Sequence, residues 1–514
     1  MVPQVPRQHP QGQWLLFNRK VFWLPAWLWL AAFGILLSAQ VPIGVTGEWV
    51  WSYQDTVQFP IFWLIVLLIG SLVFEGLARL RFQMLPKGAL VGALATILIV
   101  RLGFSIIPSG PWSSPGTYWS LIVSSPVSTT FFLEAREAER EGVGAYLSTY
   151  HQGLSAKPFH AATHPPGMAL FFAAGRLISL SSPLEPVRQW LLNDEMAQIL
   201  AEAFPRPLQG FVPEDWKHFR TVTATELQSA ALLGLMLVLL NSAAYLIWWL
   251  LLRSFVSRDL WVFAAVLPAT TPGTLFWMPA VDSMHLFLIV LQLFLFHQWM
   301  IFRATNRGWL LIILLGFLAG GSLFTAFKNA IPFLCLLAYG AWLITKKDDA
   351  PQRWVGLIQL AVLSALAISP FLVAWLFWGF EPVATFWEAS KAHSLQAGGH
   401  SRSWLPWLFA NWWEFALSLG GLWITLTAAY LLVWWRAGFP PSLTVTTLTI
   451  LLFLDLTGFV RGETARLWAP FALFLSVEPI RLLPSIGRPP PALICLQGVM
   501  NLALVCRLKW LVPW

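Results

Sequence analysis

The stretch Lys157-Pro-Phe-His-Ala-Ala-Thr-His164-Pro-Pro-Gly-Met-Ala-Leu-Phe-Phe-Ala-Ala-Gly-Arg176-Leu-Ile-Ser-Leu-Ser181 decides how the rest of the chain is laid out. A lysine, two histidines and a rigid Pro-Pro-Gly turn stand directly before an apolar run. A helix needs roughly 20 apolar residues to span a hydrocarbon layer of about 30 Å. Residues 167–181 are too few, and Arg176 interrupts them. If they crossed, the later loops holding Arg253 with Arg258, Arg303 with Arg307, Lys346 with Lys347 and Arg353, and Arg436 would all lie outside. Short cytoplasmic loops collect Lys and Arg, so the opposite arrangement is expected. The run therefore reads as a helix lying in, or dipping into, the outer interface. The polar cluster before it then sits at the outer edge of a bilayer. Keeping it there is costly, which makes it a candidate site.

The surrounding chain is membrane-spanning. Of 514 residues, 57% are hydrophobic and 11% charged, a balance that no soluble domain of this size has. Many of the 32 Trp and 38 Phe fall near the ends of apolar runs, as interfacial belts do. The net charge of +8 reflects inner loops, and basic residues do not alternate with exposed aromatics, so nucleic-acid binding is not expected. Cys335, Cys495 and Cys506 have neither disulfide nor metal spacing.

Arg7, Arg19 and Lys20 precede the first apolar run, Val21–Val45, which places the N-terminus in the cytoplasm. That run lacks a small-residue cleavage site and reads as a retained span. Further spans are expected at 60–78, 88–108, 225–252, 259–280, 283–302, 309–326, 329–345, 354–379, 412–435, 442–460, 467–481 and 491–508. The fold class is therefore all-α: a polytopic membrane protein with about 13 transmembrane helices and juxtamembrane helices on the outer face. Three regions follow: a cytoplasmic tail with three spans (1–108), an external segment (109–222) and a helical bundle (223–514). Within the external segment, residues 133–147 and 185–203 read as helices resting on the membrane. The C-terminus falls outside, against the mild opposing signal of Arg507 and Lys509. There is no repeat of 20–50 residues and no inverted symmetry of the kind many transporters carry.

This topology gathers the uncommon polar residues on one face. The first outer loop carries Glu48 and Asp55, and the external segment Glu134, Lys157, His160 and His164. Outer turns carry Asp282 with His285, Lys328, and Arg461 with Glu463 and Arg466; the 380–404 loop carries Arg402. Carboxylates suit general-base work and Arg, Lys and His suit a phosphate. Each residue also has a plain reading. A single outer carboxylate is commonly just solvated, and the 461–466 charges would serve equally as an ion-pair network. His160 and His164 would form a metal pair only in a regular helix, which the following prolines oppose, so no metal ligands are assigned and a divalent ion is left open. Asp455, inside an apolar span, reads as a satisfied structural group.

Phe131–Leu180 resembles the first large external segment of the GT-C glycosyltransferases, multi-pass enzymes that use polyprenyl-phosphate-linked sugars and include lipid A aminoarabinose transferases and protein O-mannosyltransferases. Phe131–Arg140 is similar to their acidic helix, and His164-Pro-Pro-Gly to their Lys/His-Pro-Pro motif. The order continues through a basic turn at Arg253–Arg258, Thr-Thr-Pro-Gly at 270–273, and Asp282 opening a span. Arg461-Gly-Glu-Thr-Ala-Arg-Leu-Trp468 resembles a late Gly-Glu-x-x-Arg-x-Trp stretch of the same group. One departure is plain: the family's aspartate precedes the acidic helix, whereas Ser125–Thr130 has no acid.

The resemblance implies an integral protein of a bacterial plasma membrane with its active site outside. It implies transfer of a sugar from a polyprenyl-phosphate donor to a lipid, glycan or protein acceptor. Glu48, Asp55 or Glu134 would be the base; Lys157, His160, His164, Arg402, Arg461 and Arg466 would hold the donor phosphate; Asp282, His285, Lys328 and Glu463 would support them. Expected partners are the lipid-linked donor and membrane lipids, with the oligomeric state open. Two other readings compete: a transporter or flippase for a lipid-linked substrate, and a non-catalytic partner in polysaccharide assembly.

Overall fold

The computed structural model describes residues 21–51, 53, 115–125, 130–157, 159–204, 221–274, 279–347, 350–396, 402–458, 460–487 and 489–507. The described chain is all-helical apart from a two-residue antiparallel pairing, Gly44–Val45 with Trp49–Val50. Six helices are long and apolar enough to cross a membrane: Ala224–Leu252, Asp282–Phe302, Asn306–Thr325, Phe327–Lys346, Ala350–Trp378 and Trp404–Arg436. Leu24–Ser38, Leu443–Leu456 and Ala492–Leu504 are apolar but shorter. The expected spans at 60–78 and 88–108 lie outside the described residues.

Residues 259–280 and 467–481 do not form the single helices expected of them. The first is Trp261–Ala269, which holds Pro268 and stops at Thr270. The second is broken into Phe471–Ser476 and the turn Pro479–Leu482. Gly167–Ser179 and the helix after it, Ser182–Leu191, are bent by 80°. Thirteen residues of helix are about 20 Å long, so the first member is too short to cross by itself, in keeping with the sequence argument.

Contacts among helix ends define two faces. At one, Glu48 meets Ser403, Lys328 meets Asp282, and Arg136 meets Glu226. At the other, Glu478 receives the backbone N–H groups of Leu443 and Thr444, and Trp248 donates to Ser476. These are the faces that the loop charges assign to the outside and the inside.

Small residues let the helices meet. A Cβ on Gly316 would stand 2.6 Å from Leu366 Cβ, and one on Gly320 2.8 Å from Pro370 Cδ. This is a small-xxx-small contact of the kind that brings membrane helices together. Where the backbone breaks, side chains close the gap. Gly420 leaves the helix at φ 78°, and Gln497 Oε1 accepts from Gly421 N at 3.2 Å. Asn501 Nδ2 donates to Thr270 O at 2.8 Å, and Trp423 Nε1 to Thr271 Oγ1 at 2.9 Å. A backbone break at membrane depth survives only where protein satisfies its polar groups.

Described residues 115–204 and the bundle share an apolar core. Buried Phe132, Tyr146, Met168 and Leu200 pack with Leu227, Ala231 and Val238 of the 224–252 helix. Arg176 links them electrically: it pairs with Glu139 at 2.7 Å and Glu226 at 3.2 Å and covers the Phe132 ring at 4.7 Å. The charge that interrupts the 167–181 run is therefore the tie between the juxtamembrane helices and the top of the bundle.

Candidate functional site at the outer helix ends

Lys157 sits in a cage. Its Nζ is ion-paired with Glu134, and it faces the rings of Tyr146 at 4.7 Å and Tyr150 at 4.2 Å. Glu134 is only 1% exposed, and Tyr146 Oη donates to its Oε1 at 3.0 Å. Burial first, then the Glu134 charge, push both phenols well above their usual range, so they stay neutral donors. Tyr150 Oη donates to His164 O at 2.9 Å and Ala161 O at 3.2 Å. Thr130, which closes the acid-free stretch before the acidic helix, has φ 54° and accepts from Ala161 N at 3.1 Å. A β-branched residue in that region is strained.

His164 is held from its own turn. Its Nδ1 lies 2.8 Å from His160 O and 3.0 Å from Thr163 Oγ1. A carbonyl only accepts, so Nδ1 carries the proton and Nε2 the lone pair. Burial, then the Lys328 charge, push this imidazole down to about 3. A neutral His164 offers an acceptor where a phosphate oxygen needs a donor, so the expected phosphate-binding role does not suit its geometry. For His160 the part seen in this contact is its carbonyl.

Across from His164, Lys328 Nζ pairs with Asp282 Oδ1 at 2.7 Å. Asn329 Nδ2 donates to Ser322 O at 2.9 Å and lies 3.0 Å from His285 Nδ1. His285 is fully buried, and its Nε2 has no hydrogen-bond partner among the described residues. Glu463, in the left-handed region at φ 56°, pairs with Arg466 at 3.0 Å. The Arg466 charge also reaches Asp282 and His164, and Glu463 reaches His393. Asp282, Lys328, Glu463, Arg466 and His164 thus share one electrostatic neighbourhood built from four chain segments.

Glu48, Arg402 and Arg461 serve differently. Both Glu48 oxygens accept from Ser403 N at 2.9 Å, and Trp407 Nε1 donates to Oε2 at 2.7 Å. These bonds, Ser403's foremost, pull the carboxyl below its usual range. Glu48 therefore caps the Trp404–Arg436 helix from a distant segment and is a poor base. Arg402 donates to Arg461 O, while Arg461 donates to Arg402 O at 2.7 Å and Gly458 O at 3.2 Å. The two guanidinium groups brace neighbouring turns. Asp55 lies outside the described residues.

No family model and no curated protein matches the chain.

Beneath Glu463 lies a layer that sequence reasoning missed. Asn411 Nδ2 donates to Asp455 Oδ1 and to Val460 O, both at 2.8 Å, and Asn411 Oδ1 accepts from Gly462 N at 2.9 Å. Glu414 Oε2 accepts from Thr464 N at 2.9 Å. The available signal was Asn411 and Glu414 three residues apart, hence on one face of an apolar span. Asp455 has the satisfied structural place expected of it, accepting also from Trp412 Nε1 at 2.8 Å. Among the described residues no group of three or more His, Cys, Asp or Glu is placed to hold a metal ion.

Proposed function

We propose that this protein is a membrane glycosyltransferase that moves a sugar from a polyprenyl-phosphate-linked donor to an acceptor hydroxyl at the outer face. The observation that supports this best is the set Asp282, Lys328, Glu463 and Arg466. Two cations alternate with two carboxylates, and their side chains remain 17–29% exposed. The external ends of apolar helices surround them.

In this reading the bond between the anomeric carbon and the donor phosphate oxygen breaks, and the phosphate leaves with the electron pair. Lys328 and Arg466 stabilise that developing charge. The acceptor oxygen bonds to the anomeric carbon, and its proton passes to Glu463. Glu463 takes the base role in preference to Glu48, which Ser403 N and Trp407 Nε1 hold, and Glu134, which lies buried under Lys157. Arg466 engages one oxygen of Glu463, which leaves the other to face an acceptor. A positioned general base contributes about 10²–10⁴-fold. E463Q should therefore lower transfer by roughly 100-fold or more, with unchanged abundance in the membrane. Full activity in E463Q would remove Glu463 from this role.

The break at Gly420 beside the early end of Trp261–Ala269 favours a second reading, a flippase for a lipid-linked substrate, since transporters place broken helices near mid-membrane. Reconstituted liposomes separate the two. Transbilayer movement of a lipid-linked sugar without product marks the flippase.

A further inference from the structure

At the face opposite the candidate site, three arginines and a histidine from distant parts of the chain converge on two aromatic rings. Arg253 and Arg258 flank the loop that joins Ala224–Leu252 to Trp261–Ala269, His297 lies near the end of Asp282–Phe302, and Arg481 lies in the Pro479–Leu482 turn. The Phe255 ring has Arg481 over it at 4.5 Å and the His297 ring edge-on at 5.0 Å. The Trp261 ring has Arg253 at 5.5 Å and Arg258 at 6.0 Å. Arg253 also covers Trp249 at 5.2 Å, and Ser254 Oγ lies 3.4 Å from His297 Nε2.

Among the described residues none of the four has a carboxylate within ion-pair distance, whereas Lys157, Arg176, Lys328 and Arg466 at the outer face each have one. The nearest acid in sequence to Arg481, Glu478, has a second task. Glu478 accepts from Ser442 Oγ at 2.6 Å and from Leu443 N and Thr444 N, both at 3.0 Å, capping Leu443–Leu456. Three guanidinium groups outnumber Glu478, the one described acid near them, so an anion from outside the chain would balance the remaining positive charge. The setting selects its source. Tryptophan rings and arginines at helix ends mark the headgroup level of a bilayer, and basic clusters between spans on the cytoplasmic side bind anionic headgroups.

We propose that Arg253, Arg258, His297 and Arg481 bind the phosphate of an anionic phospholipid in the inner leaflet. The site is independent of the sugar-transfer reading and stands whether or not that reading does.

The test uses the full-length protein in detergent, with phosphatidylglycerol and phosphatidylcholine of matched chains as probes and native mass spectrometry as readout. The wild type should retain phosphatidylglycerol over phosphatidylcholine by at least about tenfold, since each basic residue adds to headgroup attraction. The triple variant R253Q/R258Q/R481Q should bring the two lipids to within roughly twofold. A charge-matched control, R307Q/K346Q/R436Q, removes three inner-face charges elsewhere and should keep the preference. Equal retention of both lipids by the wild type overturns the proposal, whatever the variants do. So does equal loss in the control, which would mark a diffuse charge effect. Displacement of phosphatidylglycerol by about 10 mM inorganic phosphate would also overturn it, because the site would then read a free anion.

Discussion

His164 shows how placement sets chemistry at the scale of one residue. Its sequence context suggests a cationic wall for a phosphate, but burial and Lys328 keep it neutral down to about 3. An unfolded histidine titrates near 6.5. Between those values the unfolded chain binds more protons than the folded one, so this residue makes stability fall as pH drops from about 6.5 towards 3. Thermal unfolding of wild type and H164Q should therefore diverge with pH. The wild type should lose more stability than H164Q between pH 7 and pH 5, and equal losses would show that His164 titrates normally. Glu463 belongs at the same scale. A non-glycine residue at φ 56° carries strain of about 1–3 kcal/mol, and Asn411 and Glu414 hold the turn around it. E463G should relieve that strain and raise the unfolding temperature while transfer falls. A lower unfolding temperature would mean the ion pair with Arg466 outweighs the strain.

At the scale of elements, the Pro-Pro-Gly turn has a packing reason. A Cβ on Gly167 would stand 2.2 Å from the Phe324 carbonyl oxygen, while one on Gly321, in the same neighbouring helix, would meet nothing within 4 Å. G167A should therefore force Gly167–Ser179 away from the top of Asn306–Thr325 and cost roughly 1–3 kcal/mol, as overpacking does. G321A should fall within about 0.5 kcal/mol of wild type. Equal effects in a denaturant comparison would mean that the close approach is absent. Arg176 acts at this scale too. Placed inside an apolar run it looks like a misfit, yet its pairing with Glu139 and Glu226 ties three helices.

At the scale of the whole molecule, helix-end contacts distinguish two faces, and loop charge predicts which of them lies outside. A cysteine at Lys391 should label from outside intact cells and one at Arg307 only after permeabilisation; the reverse would invert the bundle. Much of this was legible in the chain: the membrane class, the failure of residues 167–181 to cross straight, and the gathering of Asp282, Lys328, Glu463 and Arg466 at one end of the helices. Those features depend on hydrophobic length and on where charges interrupt apolar runs, which are local properties. The role of each polar residue was not legible. Glu48 became a helix cap, Arg402 and Arg461 became braces, and Lys157 acquired a cage of Tyr146 and Tyr150, because each found its partner far away in sequence. The breaks within residues 259–280 and 467–481 were hidden for the same reason. Asn501 satisfies Thr270 O at the first break from a distant segment, so apolar composition alone read as unbroken helix. The sequence by itself determined that this chain enters a membrane as apolar helices. Only the tertiary structure decided which charges are neutralised and which remain available, since a pairing partner is chosen by proximity in space.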